Sequence, residues 1–148
     1  MRYQRRALCT LAVAVSASFF GAAALRAGQA EGEKGKRPSL SLKLSPLLAA
    51  APAKVRAVVE VRGGANDYED FYCPTLEWDW GDDTRSEATQ DCEPYEAGRS
   101  EIRRRFTADH TFQHGGNYKV MFRMKRKDKI VIATSANIQV RPGLSDEF

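Results

Sequence analysis

Apolar residues that recur with period two constrain the fold of this chain more than any other feature of its sequence. Positions 55, 57, 59 and 61 are valine or alanine and alternate mostly with charged residues. The apolar positions 118, 120, 122 and 124 repeat the pattern. Such alternation predicts strands that bury one face. After Glu31 no segment has a convincing helical period, because the helix-forming residues near 47–53 are few and bracketed by Pro46 and Pro52.

The alternation predicts six strands, with apolar residues at 40–44, 55–61, 76–80, 102–106, 118–124 and 130–140. Leu76, Trp78 and Trp80 share one face of the third strand. The charged turn at 126–129 makes the last two strands a hairpin, in which Ile130 and Ile132 point to the same side. Strands of this length, separated by turn signals, are typical of an all-β fold, an immunoglobulin-like antiparallel β-sandwich.

The first thirty residues have the composition of a signal peptide. Basic residues at positions 2, 5 and 6 precede an apolar stretch at 7–25, and Ala24, Ala27 and Ala30 are candidate cleavage positions. Thr10 and Gly21 interrupt the apolar stretch, which makes it a poor permanent span, although a retained membrane anchor is the alternative. We therefore expect a secreted or periplasmic protein with no stable membrane span after cleavage.

The predicted domain organisation follows from these patterns. Residues 1–30 form the signal peptide, 31–38 a charged flexible linker, 39–142 one sandwich domain and 143–148 a short tail. The chain has 23 basic and 19 acidic residues, but four of the basic and none of the acidic ones precede Glu31. A chain that begins at Glu31 has no net charge, so the charge balance gives no reason to expect a nucleic-acid partner.

Two cysteines remain once the leader, which contains Cys9, is removed. Cys73 and Cys92 form an even pair in an exported chain, which predicts a disulfide. A bridge closing a loop of about 20 residues contributes roughly 3 kcal/mol. The alternative is a zinc site that adds His110 and His114, but the cysteines are too far apart in sequence for the usual close pair of ligands.

Two segments carry a resemblance to a known family. One runs from Leu76 through Trp78, Asp79, Trp80, Gly81, Asp82, Asp83 and Thr84; the other contains His110, Phe112, Gly116, Tyr118 and Val120. Together they resemble the PKD (polycystic kidney disease) domain, whose hallmark is a Trp-Asp-Phe-Gly-Asp-Gly-Thr turn followed by His-x-Tyr and Gly-x-Tyr-x-Val. The resemblance covers about residues 39–141. The chain departs from it at Trp80, at Asp83 and in the long 85–100 segment.

The motif residues have structural roles that their chemistry explains. Trp78 supplies bulk between two sheets, and Gly81 allows the backbone to turn where a side chain would obstruct it. The oxygens of the Asp and Thr side chains can accept hydrogen bonds from turn amides, and Tyr118 can tie a corner through its hydroxyl. The resemblance assigns His110 a hydrogen bond that fixes the approach to the next strand.

The best candidates for recognition lie outside the motif, on the acidic and aromatic loop at 66–72. They are Asp67, Tyr68, Asp70, Phe71 and Tyr72. Aromatic residues on a loop either meet a partner or pack under a neighbouring segment, here the 85–100 segment. Some bacterial PKD domains bind calcium through loop carboxylates, which makes calcium possible at Asp67, Glu69 and Asp70; no other cofactor is expected. A basic stripe at 123–129 is usually a solvated hairpin tip but could meet an acidic polysaccharide.

The sequence has no motif for catalysis: it lacks the nucleophile elbow, the zinc-protease helix and the phosphate-binding glycine loop. We therefore expect no enzyme. The resemblance implies a non-catalytic module for protein–protein or protein–carbohydrate interaction at the cell envelope or outside the cell. The alternative is a structural spacer or assembly subunit with no ligand of its own.

Overall fold

Residues 36–143 are described by a computed structural model. The predicted signal peptide, residues 31–35 of the predicted linker and residues 144–148 lie outside this range. At its start, Pro38 is buried and the Arg37 guanidinium donates a hydrogen bond to the carbonyl of Val131, so both residues already contact the domain. No helix within residues 36–143 has the length and hydropathy to cross a membrane.

Eight strands form two sheets. Their bounds are β1 Ser39–Ser45, β2 Leu48–Ala50, β3 Ala53–Arg62, β4 Thr75–Asp79, β5 Arg85–Ala88, β6 Arg105–Phe112, β7 Gly116–Arg126 and β8 Lys129–Arg141. One sheet has the order β1-β3-β6 and the other the order β2-β8-β7-β4-β5. All pairings are antiparallel except that of β2 with β8. The predicted immunoglobulin-like β-sandwich is confirmed.

The core lies between the sheets and is built by the alternation seen in the sequence. In β3, Val55, Ala57 and Val59 are fully buried, and in β7 Phe122 and Met124 are fully buried. Fully burying a valine, phenylalanine or methionine side chain contributes about 1.5–3 kcal/mol. The face of each strand that the sequence pattern marks as apolar is therefore the one that holds the two sheets together.

Two strands are not predicted by the alternation, for different reasons. Strand β2 lies between two prolines and has only three residues, too few for a period to show. Strand β5 has four residues, Arg-Ser-Glu-Ala, all of them exposed at the edge of the five-stranded sheet. It is held there by backbone pairing with β4 and has no apolar face that a sequence pattern could reveal.

The predicted range of one strand and the predicted side of one residue are wrong. The fourth predicted strand, at 102–106, lies at Arg105–Phe112, because Ile102 is buried in the loop before the strand rather than in it. The alternation predicts that Ile130 and Ile132 point to the same side, but Ile130 is 57% exposed, whereas Ile132 is half-buried against the core. The pairing of β7 with β8 shifts between Met124 and Lys125, so β8 has one extra residue at that point. Simple alternation of sides along β8 is interrupted at this bulge, and Ile130 therefore does not share a face with Ile132.

The strand registers bring three connections to one end of the sandwich. Thr75, the first residue of β4, pairs with Lys125 near the end of β7, and Leu76 pairs with Ala88 at the end of β5. The β3–β4 loop (residues 63–74), the cysteine loop between β5 and β6 (residues 89–104) and the hairpin tip (residues 127–128) are therefore neighbours. These three segments together are called the loop end below.

Candidate functional site

The turn that carries the family resemblance lies at the opposite end from these loops, between β4 and β5. The backbone amide of Trp80 donates to the carbonyl of Thr84 at 3.1 Å, and the amide of Gly81 donates to Asp79 at 3.3 Å. Gly81 has a φ of +80°, and a Cβ there would lie 2.8 Å from the carbonyl oxygen of Lys119. Asp83 also has a positive φ, of 65°, which aspartate tolerates better than most residues.

Asp82 and His110 connect this turn to the other sheet. Nε2 of His110 lies 2.7 Å from Oδ2 of Asp82, and the imidazole stacks on the Trp80 indole with centroids 4.5 Å apart. Burial alone would raise the pKa of Asp82, but its hydrogen bonds with the Thr84 hydroxyl and with His110 outweigh that effect and hold the pKa below its ordinary value. The contact joins the two sheets through β6.

Tyr118 closes the corner at the start of β7. Its hydroxyl donates to the carbonyl of His114 at 2.9 Å, and its ring stacks on Phe112 with centroids 4.5 Å apart. Phe112 and Val120 are fully buried beside it, and Gly116 begins the strand. The motif residues therefore form part of the scaffold of the sandwich, and none of the contacts described for them points to a ligand.

The loop end is held together by a covalent bond and by tyrosines. Cys73 and Cys92 form a disulfide between the β3–β4 loop and the cysteine loop. The Tyr72 hydroxyl donates to the carbonyl of Glu93 at 3.0 Å, and the Tyr95 hydroxyl donates to the carbonyl of Asp67 at 2.6 Å. The two tyrosine rings contact each other at 5.5 Å. The cysteine loop therefore covers the candidate recognition loop.

The five candidate recognition residues have contacts inside the domain. Phe71 is fully buried and has an edge-to-face contact with half-buried Tyr68, and half-buried Tyr72 packs against Tyr95. The carboxylate of Asp67 accepts a hydrogen bond from the amide of Gly98 at 3.1 Å. The alternative interpretation, in which these aromatics pack under the 85–100 segment, describes this geometry.

Asp70, the fifth candidate, lies with Glu69 against a cation rather than beside Asp67. Arg126 is 2.9 Å from Glu69 and 3.8 Å from Asp70. Across residues 36–143, no three side chains of the types that bind metal ions converge on one point. The two sulfurs of the zinc alternative are bonded to each other. Calcium binding at Asp67, Glu69 and Asp70 stays a prediction.

Arg104 is a residue of the loop end that the sequence did not reveal. Its guanidinium donates to the carbonyls of Gly63 and Gly64 at 2.9 and 3.1 Å, and to the side chain of Asn66 at 2.7 Å. The neighbouring arginines, 103 and 105, are exposed. The sequence has three consecutive arginines at 103–105, and no pattern in it distinguishes the middle one, whose side chain binds the β3–β4 loop.

The basic stripe at 123–129 is largely neutralised by carboxylates. Arg123 lies 3.5 Å from Asp79 and also bonds to Glu77. Lys125 bonds to Glu77 and Glu87. Arg126 binds the acidic loop residues described above. Among the described residues, only Lys127 and Lys129 of the stripe have no acidic partner, so the stripe is not a continuous basic surface.

A shallow acidic cleft opens where the cysteine loop crosses the β3–β4 loop. Its lining residues are Tyr72, Glu93, Pro94, Glu96, Arg99, Ser100 and Glu101. Arg99 is paired with Glu96 at 2.7 Å, which leaves the charge of the other two glutamates without a neutralising cation in the lining. Tyr72 is the one predicted recognition residue that lines this cleft.

Acid should weaken the ion pairs on the outer side of the five-stranded sheet, and Glu77 allows a test. The hydrogen bond from Lys125 lowers the pKa of Glu77 most, burial opposes it, and Arg123 lowers it further, so the folded-state pKa lies below the ordinary value of 4.5. The unfolded chain then binds more protons in acid, so this stabilisation is present above about pH 4.5 and is lost as the pH falls through the folded-state pKa.

Glu77→Gln should lower the free energy of unfolding at neutral pH by about 1–3 kcal/mol, because it removes charge-assisted hydrogen bonds. It should also make stability less dependent on pH below 4.5. Urea titrations at several pH values would measure both effects. Glu87→Gln is the control, because Glu87 binds the same lysine from a side chain that is 55% exposed. Equal acid sensitivity of the Glu77 variant and the wild type would contradict the prediction.

Comparison with known proteins gives structural similarities alone. No family model matches the sequence, and no curated protein matches it. The structure is similar to the PKD domain of an M14-like peptidase from a Thermoplasmatales archaeon, with a TM-score of 0.48 and 12% identity over 71% of this chain and 97% of that one. It is also similar to a CARDB domain from Pyrococcus furiosus, solved with two metal ions, with a TM-score of 0.45 and 11% identity over 72% of this chain and 96% of that one.

Proposed function

We propose that this domain is a non-catalytic interaction module of the periplasm or the cell exterior, and that it binds a protein partner through its loop end. The observation that carries the proposal is the convergence of the β3–β4 loop, the cysteine loop and the hairpin tip at one end of a rigid sandwich. Loops positioned by a rigid scaffold are where binding residues concentrate, and variable immunoglobulin domains bind antigen through one such end.

The contacts within the loop end support binding by a preformed surface. A disulfide, two tyrosine hydroxyls and the Arg104 guanidinium hold loops that would otherwise have to become ordered on binding. A surface that is ordered beforehand loses less entropy when it binds. The acidic cleft adds a chemical preference, because Glu93 and Glu101, which have no cation beside them in the lining, complement a lysine or arginine side chain of a protein partner.

The contacts of the acidic and imidazole groups support the absence of catalysis in this proposal. Asp109 and His110 are adjacent in sequence but face different partners. The carboxylate of Asp109 binds Arg56 at 2.8 Å, whereas His110 contacts Asp82 in the tie between the sheets. Neither group is held beside a nucleophile, which a catalytic triad requires.

Neutralising the acidic cleft tests the proposal. The variant Glu93→Gln/Glu101→Gln, which leaves the pair of Arg99 with Glu96 intact, should bind its protein partner about tenfold less tightly, since each lost charge pair at an interface weakens binding. The control Asp83→Asn/Glu87→Gln has the same net charge but changes positions away from the loop end. Partners crosslinked to the exported protein would be identified by mass spectrometry, and the affinity of each would be measured with both variants.

A partner that is lost by the cleft variant and retained by the control supports the proposal. Retention by both variants places the partner elsewhere and contradicts it. If the wild type binds glycans on an array and the cleft variant alone loses that signal, the ligand of the loop end is a carbohydrate and not a protein.

One observation favours the alternative, an assembly subunit. Strand β2 pairs with β8 only at residues 139–141, so the rest of that edge of β8 has no strand partner among the described residues. The segment Val131 to Asn137 has no charged side chain that would discourage another strand from adding there. Sedimentation of the purified chain as an oligomer that Ser135→Pro disrupts would favour this function.

A further inference from the structure

The outer face of the three-stranded sheet has many charged side chains. The registers of β1, β3 and β6 place its side chains in rows across the sheet. Its charged residues are Lys43, Lys54, Arg56, Glu60, Arg62, Arg105 and Asp109, and between them lie Ser41, Ser45, Val58, Thr107 and Thr111. This surface is called the basic face below.

The charges of the basic face are arranged around its two carboxylates. Glu60 lies 2.9 Å from Arg62, 3.8 Å from Lys43 and 3.9 Å from Arg105. Asp109 lies 2.8 Å from Arg56 and 3.9 Å from Lys54. Five cations thus surround two carboxylates, which leaves three positive charges in excess. The cations are 57–73% exposed, so this excess charge is accessible to a ligand.

The two carboxylates hold the cations in place and stay ionised. Both oxygens of Asp109 accept hydrogen bonds from Arg56, at 2.8 and 3.1 Å, a geometry that fixes the plane of the guanidinium. This hydrogen bonding is the main reason that the pKa of Asp109 lies below its ordinary value, and the bond from Arg62 has the same effect on Glu60. The face therefore keeps a fixed pattern of charge at neutral pH.

The composition of the basic face limits what it can bind. Val58 is its one apolar side chain, and it has no aromatic residue. Protein interfaces depend on buried aromatic anchors, single-stranded nucleic acids stack on aromatic rings, and helices that lie on membranes insert apolar side chains. Hydroxyl groups and cations on the face of a sheet instead suit a ligand that is itself rich in hydroxyls and carries negative charge.

We infer that the basic face binds an anionic polysaccharide, whose sugar rings carry carboxylate or sulfate groups. Glu60 and Arg56, which mark the two cation clusters, are four residues apart on β3, or about 13 Å at the rise of a strand. A small anion would contact one cluster, whereas an extended polymer can contact both. The polymer then binds more tightly, because its second contact is intramolecular. The site lies on a sheet face rather than on the loop end, so it is independent of the proposed protein-binding function.

The variant Lys43→Gln/Lys54→Gln/Arg105→Gln tests this inference. It removes the excess of three charges but leaves Arg62 on Glu60 and Arg56 on Asp109, so no carboxylate loses its nearest partner. The control is Lys36→Gln/Lys119→Gln/Lys129→Gln, which has the same net charge and changes three exposed lysines that lie neither on the basic face nor in the loop end. Thermal unfolding would first establish that both variants are folded.

The probes are alginate, a polyuronate, and dextran sulfate, with uncharged dextran as the reference polymer. We expect the wild type to bind alginate or dextran sulfate but not dextran, and the affinity to fall with added salt. The basic-face variant should bind about tenfold less tightly, the loss expected for three exposed ion pairs, and the control should bind within about twofold of the wild type. Preference for one polymer would identify carboxylate or sulfate as the recognised group.

Three results would overturn the inference. The first is that the wild type binds neither anionic polymer. The second is an equal loss of affinity in the control, which would make net charge the cause. The third is tighter binding to vesicles of phosphatidylglycerol or to duplex DNA than to either polysaccharide. None of these results bears on the loop end, whose test uses other variants and a protein partner.

Discussion

Replacing Trp80 with alanine should lower the free energy of unfolding by about 3–5 kcal/mol, the usual cost of truncating a buried aromatic residue. The indole is 2% exposed. It is stacked between Trp78, with centroids 5.7 Å apart, and His110, with centroids 4.5 Å apart. Its removal would leave a cavity between the sheets and withdraw the surface against which the Asp82 and His110 pair is held.

Trp80→Phe separates the two contributions of this residue. Phenylalanine stands at this position in the PKD motif, and it keeps a ring but loses the indole N–H, which donates to the Ser86 hydroxyl of edge strand β5 at 3.1 Å. We expect this variant to lose about 1–2 kcal/mol, from one hydrogen bond and some packing. Ser86→Ala, which removes the acceptor alone, is the matched control.

Urea unfolding, with the dependence on denaturant compared between variants, would measure these changes. A loss of less than about 1 kcal/mol for Trp80→Ala would mean that the sheets repack around the missing ring. The contacts of Trp80 with Trp78 and His110 would then contribute little to stability.

The fold could be predicted from the sequence wherever a strand buries one face. The alternation in β3 and β7 marks residues that are fully buried, and Trp78 and Trp80 lie in the core as their shared face predicted. Strands β5 and β2 carry no such signal, because every residue of β5 is exposed and β2 has only three residues. The exposure of Ile130 depends on a bulge, which is a matter of register between two strands and cannot be read from one of them.

The candidate site was less predictable, because it depends on which loops meet. The sequence marked residues 66–72 as unusual, but their aromatic rings are largely used in contacts with the cysteine loop. The acidic cleft combines residues about twenty apart, and the basic face combines three strands. Neither has a local motif, since each arises only when the strand registers bring distant charges together.

Removing the disulfide should have the second large effect. We expect Cys73→Ser/Cys92→Ser to lower the free energy of unfolding by about 2–4 kcal/mol, because the unfolded chain regains the entropy that the crosslink removes. The two cysteines are 19 residues apart in sequence. Chemical denaturation of the double serine variant would measure the change, and a mass measurement without reductant should find no free thiol at Cys73 or Cys92 of the wild type.

The size of the loss depends on how much order the loop end retains without the bond. The cysteine loop is also attached through the hydrogen bonds from Tyr72 to Glu93 and from Tyr95 to Asp67. If these contacts suffice, amide hydrogen exchange at residues 89–104 would rise only slightly in the serine variant; if the disulfide dominates, exchange there would rise strongly while the core strands stay protected. We expect the second result, because the net contribution of two hydrogen bonds is small once the cysteine loop is no longer crosslinked. Treatment with a dithiol should reproduce the loss in the wild type and leave the serine variant unchanged, and reactive thiols at both Cys73 and Cys92 of the untreated protein would contradict the prediction.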